Sequence, residues 1–221
     1  MQLFKVDGKW HLQNILSFIL KLTMLVGAGL CLLKEHYLLS IATLGIIGIT
    51  FLPIILSRHF QVNIPPEFEC LTIAFVYATL YLGSVQGFYL KYWWWDSMLH
   101  TGSGFILGIL GFLLVYVLNE RREIGLAMRP HFVALFAFTF SLALGALWEI
   151  FEFTVDSFFD MNMQETGLVD TMWDLIVDTV GALTISLAGW RYLANRGSNS
   201  FLERWINNFI DKNPRLFARN Q

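Results

Sequence analysis

The chain has 221 residues, of which 56% are hydrophobic, 16% aromatic and 14% charged, and its mean hydropathy is +0.55. That is too apolar for a soluble domain of this size and describes a polytopic membrane protein. The net charge of −2 says nothing about partners, because in such a protein the placement of charge outweighs its sum.

In chain order, residues 1–12 read as a short polar arm. Lys5 and Lys9 before an apolar run superficially resemble a signal peptide, but no small-x-small site closes that run. Leu30 before Cys31 argues against a lipoprotein cleavage box, so the segment is expected to be retained. Apolar runs long enough for a bilayer, about 20 residues each, follow at 13–33, 37–57, 68–90, 97–118, 130–155 and 171–193. The expected fold is therefore all-α: a polytopic bundle of six transmembrane helices over residues 1–197, with a tail at 198–221. Lys34-Glu35-His36, Asn63-Ile64-Pro65-Pro66-Glu67, Trp93-Trp94-Trp95-Asp96 and the stretches 119–130 and 156–170 punctuate the spans.

Pro53 should bend or end the second span. Pro130 suits a first helical turn, and Asp96-Ser97 offer capping oxygens to the fourth span. Cys31 and Cys70 lack CxxC or CxxH spacing and read as buried free thiols. In the tail, Phe201, Leu202, Trp205, Ile206, Phe209 and Ile210 recur every three or four residues among Arg204, Asn207, Asn208 and Lys212. This is the pattern of an amphipathic helix lying on a membrane surface.

Basic residues orient the chain. With the N-terminus inside, Lys5, Lys9, Arg58, Arg121, Arg122, Arg129, Arg191, Arg196, Arg204, Lys212, Arg215 and Arg219 all fall on the cytoplasmic side. Lys34 and Lys91 fall outside and Lys21 lies within the first span. This asymmetry predicts N-in and C-in, with the Tyr92-Trp93-Trp94-Trp95 group at the outer interface. No cytoplasmic segment is large enough for a nucleic-acid site, and topology accounts for the basic tail.

Within this topology the acids coincide in depth. Asp96 and His100 start the fourth span, Glu149, Glu152 and Asp156 end the fifth, and Asp170, Asp174 and Asp178 start the sixth. Spacings of three and four stack each set on one helical face. Small residues continue the stripes: Gly104 and Gly108, Ser141 and Gly145, and Gly181, which let backbones approach. The three faces should therefore point at one another, bringing seven carboxylates and one imidazole together with only Lys91 as a basic neighbour. Such a set must either hold protons or pair with a cation.

A divalent metal (Mg, Mn, Ca, Zn or Fe) held by Asp96, His100, Glu149, Glu152, Asp174 and Asp178 is the first expectation, with Glu152 and Asp178 as candidate catalytic groups and Glu152 as general base. A proton-exchanging network is the second. Asp156 and Asp170 also fit a plain interfacial role, Asp170 as a cap of the sixth helix, and His100 fits a helix-packing role.

The segments Trp95-Asp96-Ser97-Met98-Leu99-His100, Trp148-Glu149-Ile150-Phe151-Glu152 and Asp170-x3-Asp174-Leu175-Ile176-Val177-Asp178-Thr179-Val180-Gly181-Ala182 resemble the bacterial YjdF-like inner-membrane proteins. These are similar in turn to the VanZ-like group, with its D-K-x-x-H, E-x-x-Q and D-x-x-x-N-x-x-G pattern. The resemblance covers residues 68–190. Here Glu152 replaces the Gln and Asp178 the Asn, and residues 157–169 lack the basic residue that VanZ-like proteins carry before the last motif. The resemblance implies an integral protein of the bacterial cytoplasmic membrane and supplies no reaction. Asp170-x3-Asp174-x3-Asp178 also echoes the CDP-alcohol phosphotransferase motif, but the upstream D-x-x-D-G-x-x-A-R is absent.

Three functions follow. One is a metal-dependent enzyme acting at the extracytoplasmic face on an envelope lipid, a lipid-linked phosphate or a cell-wall precursor. Another is a proton- or cation-coupled carrier, against which stands the absence of an inverted repeat. The third is a structural or regulatory membrane protein whose acidic loop binds partners.

Overall fold

The computed structural model describes residues 5–6, 9–10, 12–120, 128–164, 166–194, 208–209 and 211–213. The architecture is all-α. Among the described residues the only extended pairing is a minimal antiparallel ladder, Lys5–Val6 with Lys9–Trp10. Among the described residues, six helical stretches are long and apolar enough to cross a membrane: Leu12–Leu33, Tyr37–Phe60, Pro66–Val85, Trp95–Val115, Pro130–Phe159 and Leu168–Ala194. Most of the tail expected at 198–221 lies outside the described residues.

The chain divides into two compact units, Met1–Trp95 and Asp96–Gln221. In the first, α1 (Leu12–Leu33) packs on α2 (Tyr37–Ile49) and α4 (Pro66–Val76). The tight α1–α2 turn places Glu35 at φ 60°, while the His36 N–H returns to the Cys31 carbonyl at 2.9 Å. Thr50 ends α2 with its hydroxyl on the Ile47 carbonyl at 2.6 Å, and α3 (Leu52–Phe60) restarts with Pro53 in its first turn. The second span is thus two helices broken just before the proline. The break falls there because a first-turn residue needs no intrahelical acceptor for its missing N–H.

The third span also has two parts. α4 runs into a π-helical segment, Tyr77–Val85, which closes with the Gln86 N–H on the Tyr81 carbonyl at 2.9 Å. Gly87, at φ 73°, then turns the chain into the short α5 (Phe88–Lys91). Met24, Ile46 and Tyr81 form the centre of this unit. Lys21 in α1 sets its ammonium 4.5 Å from the Phe51 ring centroid, and the Lys91 ammonium donates to the Gln86 carbonyl at 2.8 Å.

In the second unit, α7 (Pro130–Phe159) and α8 (Leu168–Ala194) pack closely, and α6 (Trp95–Glu120) meets α8 at Gly104 and Gly108 and α7 at Gly111. Pro130 occupies the first turn of α7. Because α6 starts at Trp95, Asp96 sits inside its first turn and is not the cap that the sequence suggested. α7 runs on to Phe159, so the connecting loop starts at Asp160, whose φ of 53° reverses the chain.

Association of helices in lipid depends on close van der Waals packing, because lipid tails are as apolar as the side chains. Gly104 and Gly181 provide that closeness between α6 and α8. A Cβ on Gly181 would lie 2.5 Å from the Thr101 carbonyl oxygen, and one on Gly104 would lie 2.6 Å from that of Asp178. Between α6 and α7, the Ser141 hydroxyl donates to the Gly104 carbonyl at 3.0 Å. Away from these seams, Leu147, Ile150, Phe153 and Val180 are exposed on the outer faces of α7 and α8, as lipid-facing positions should be.

Candidate functional site

The first two turns of α6, the last turns of α7 and the first turns of α8 meet at one end of the second unit, because the stripes that carry Gly104, Gly145 and Gly181 are also the packing seams. His100 is central. Its Nδ1 lies 3.3 Å from Asp178 Oδ2 and 3.8 Å from Glu149 Oε1; its Nε2 lies 3.8 Å from Asp96 Oδ1 and 4.0 Å from Asp174 Oδ2. The imidazole thus separates two carboxylate pairs, one at each nitrogen.

Burial is deep. His100 is 6% exposed, Glu149 4%, Glu152 8%, and Asp174 and Asp178 2% each, whereas the Asp96 side chain retains 27% and forms the accessible side. Among the described residues, no lysine or arginine lies within salt-bridge distance of these carboxylates; His100 is their only ionic partner.

Hydrogen bonding distinguishes the acids. Both oxygens of Asp178 are engaged: Oδ1 accepts from the Ser103 hydroxyl at 2.8 Å and Oδ2 faces His100 Nδ1. A Cβ on Gly145 would reach to 2.5 Å of Asp178 Oδ2, so that glycine makes room for the carboxylate. Glu152 Oε1 accepts from the Trp148 indole N–H at 2.9 Å. By contrast, among the described residues neither oxygen of Glu149 nor Oδ2 of Asp174 has a hydrogen-bond partner. A buried carboxylate oxygen without a partner costs about 1–3 kcal/mol, a cost that either a bound cation or a proton held among the acids would relieve.

Two overlapping sets have ligand atoms within 4.8 Å of one another: Asp96, His100 and Asp174, and His100, Glu149 and Glu152. The cluster therefore has donors suitable for a metal ion.

One acid grouped with these by the sequence does something else. Asp156 turns into the α7–α8 loop and accepts the Met163 and Gln164 N–H groups at 2.7 and 2.8 Å. Gln164 in turn donates to the Thr171 hydroxyl at 2.6 Å, tying the loop to α8. Asp170 lies in the first turn of α8, one turn before Asp174. The residue missed from sequence is Ser103. Its place three residues after His100 on the stripe of α6 was the available signal, masked because serine is common in such stripes as a small residue.

The chain matches the family described as "Predicted membrane protein (DUF2238)" over residues 14–195. It is 31% identical over 147 residues to a Thermotoga maritima protein described as "Uncharacterized protein", an alignment covering 66% of this chain and 73% of that one. No solved structure matches the chain. With the family match spanning all six apolar helices, the chain belongs to the DUF2238 family of predicted membrane proteins.

Proposed function

We propose that this membrane protein holds a divalent cation among Asp96, His100, Glu149, Glu152, Asp174 and Asp178, and uses it as an enzyme on a lipid-linked phosphate or related envelope lipid. The observation that carries the reading is the set of unpartnered, deeply buried oxygens on Glu149 and Asp174 beside His100. Oxygen-rich donors with one imidazole suit Mg²⁺, Mn²⁺ or Ca²⁺ and also admit Zn²⁺ or iron. A divalent cation supplies charge neutralisation for a phosphate and acidifies water.

The protein's own groups do the rest. Asp96 lines the accessible side, the Trp148 N–H fixes one oxygen of Glu152, and the other oxygen of Glu152 accepts a proton from attacking water as general base. Asp178, held by Ser103 and His100, keeps the imidazole in place.

In this reading residues 1–197 form one six-span domain of the bacterial cytoplasmic membrane, with N- and C-termini inside by the positive-inside rule. The site then opens away from the cytoplasm, and residues 198–221 lie on the inner surface as an amphipathic tail. The kinship with YjdF-like and, more distantly, VanZ-like proteins belongs to the same reading and rests on the three-part acid pattern.

Elemental analysis of purified wild-type protein beside Asp174→Asn tests it. Stoichiometric metal in the wild type, lost in the variant, is the expected result. Wild-type protein that stays metal-free after incubation with each cation overturns the proposal and leaves a proton-coupled carrier as the stronger reading.

A further inference from the structure

Resting on the metal reading above, we infer that the cation occupies one side of the His100 ring only: it is held by Nε2 with Asp96 and Asp174, and Asp178 is a positioning residue that sets the imidazole tautomer from the opposite nitrogen. The imidazole offers one lone pair while its other nitrogen carries a proton, so whichever nitrogen is hydrogen-bonded to a fixed acceptor decides which is free for a metal. Both pairs of carboxylates compete for these roles, and their hydrogen bonding discriminates between them.

On the Nδ1 side, Asp178 Oδ2 is the nearest group at 3.3 Å, and its carboxylate is immobilised by the Ser103 hydroxyl on Oδ1. It sits against Gly145, where no side chain displaces it. A carboxylate held by its other oxygen is an acceptor in a fixed position, so the proton resides on Nδ1. The Ser103 hydroxyl lies 2.8 Å from both the His100 carbonyl and Asp178 Oδ1, so its single proton is shared between the two and the backbone of α6 fixes its position. Nδ1 is thereby committed to a hydrogen bond.

On the Nε2 side the geometry is that of ligands awaiting an ion. Asp96 Oδ1 and Asp174 Oδ2 stand 3.8 and 4.0 Å from Nε2, and one ligand atom from each of the three residues lies within 4.8 Å of the others. With metal–ligand bonds near 2.1 Å, neighbouring ligand atoms come to about 3.0–3.4 Å apart, so each side chain closes by less than an ångström. Asp174 Oδ2 has no hydrogen-bond partner among the described residues although Asp174 is only 2% exposed. It is an independent sign that something positive belongs at this spot. Asp96, the most exposed of the set, gives that spot its route of entry and leaves coordination positions facing outward for substrate.

The second set, His100 with Glu149 and Glu152, cannot use the imidazole while Asp178 holds Nδ1. Glu149 is left as a free carboxylate facing the other edge of the ring, at 3.8 Å from Nδ1. A single ion per chain follows, in place of a pair bridged by the imidazole.

The test uses full-length protein, labelled with ¹⁵N-histidine, purified in detergent and titrated with ¹¹³Cd²⁺. Expected are one bound cadmium per chain, a ¹¹³Cd–¹⁵N coupling to His100 Nε2, and a proton on Nδ1. Asp178→Asn should weaken cadmium binding about 10–100-fold, as loss of an orienting carboxylate does. It should also shift the Nδ1–H resonance with the Nε2 coupling intact, a signature that mere loosening of the fold would not produce. Coupling to Nδ1, or two cadmium ions per chain, overturns this inference while leaving the metal reading standing. Absence of cadmium from wild-type protein overturns both.

Discussion

The two compact units handle buried polarity in opposite ways. In the first, the Trp95 indole N–H at its end is buried without a partner among the described residues, but the buried hydroxyls of Ser40, Thr43 and Thr50 return to nearby carbonyls of Ala28, Leu39 and Ile47 at 2.6–3.0 Å. They are matched within their own or a neighbouring helix, so they demand nothing from outside. In the second, five ionisable side chains are buried together, and three of their oxygens find no partner among the described residues. Both units are built from apolar helices of the same kind, so hydrophobicity does not separate them. The concentration of buried ionisable groups does: satisfied hydroxyls are scaffold, whereas acids clustered inside apolar helices are expensive and mark a candidate site.

The largest way to break this contrast is at the seam that brings the acids together. Gly181→Val forces a side chain against the Thr101 carbonyl, and overpacking of this kind costs about 3 kcal/mol or more. Purified Gly181→Val should unfold well below wild type in a thermal melt in detergent and lose cation binding with it, whereas Gly29→Val on an open face of α1 should melt near wild type.

Next in size is the guest itself. A cation at one hundred times its dissociation constant stabilises the protein by about 2.7 kcal/mol, so adding Mn²⁺ or Zn²⁺ to chelator-treated wild type should raise its melting temperature. Asp174→Asn should show no such rise. The same variant, freed of one uncompensated buried carboxylate, should melt at or above the chelated wild type; a large fall would mean that Asp174 is structural.

Asp156→Ala sharpens the comparison within the second unit, since this acid is fully used by the loop. Losing hydrogen bonds to a charged group costs about 1.5–3 kcal/mol, and the effect should stay local. Hydrogen exchange at Met163 and Gln164 should accelerate while cation affinity holds. The smallest effect belongs to the first unit. Ser40→Ala removes one interhelical hydrogen bond to the Ala28 carbonyl, worth about 0.6 kcal/mol in a membrane protein, and should leave cation binding untouched.

Much of this was legible in the chain. Hydropathy marked the six spans, and the spacing of Asp96 to His100, Glu149 to Glu152 and Asp174 to Asp178 put each pair on one face. Periodicity cannot tell which of several acids on a face turns inward, because a side chain at the end of a helix can equally reach back to the loop. Asp156 did so, and only the positions of the Met163 and Gln164 amides show why. Nor does local sequence register the π-helical stretch at Tyr77–Val85, whose residues read as ordinary helix.

The sequence alone determined that the protein is a set of apolar helices with acids paired on single faces at the ends of three of them, since burial of apolar length and the 3.6-residue repeat are properties of each segment by itself. Only the tertiary structure decided which oxygens are satisfied. Whether Asp178 is engaged and Asp174 left open depends on His100 and Ser103 of α6 and Gly145 of α7, and partnership across helices has no periodicity to be read.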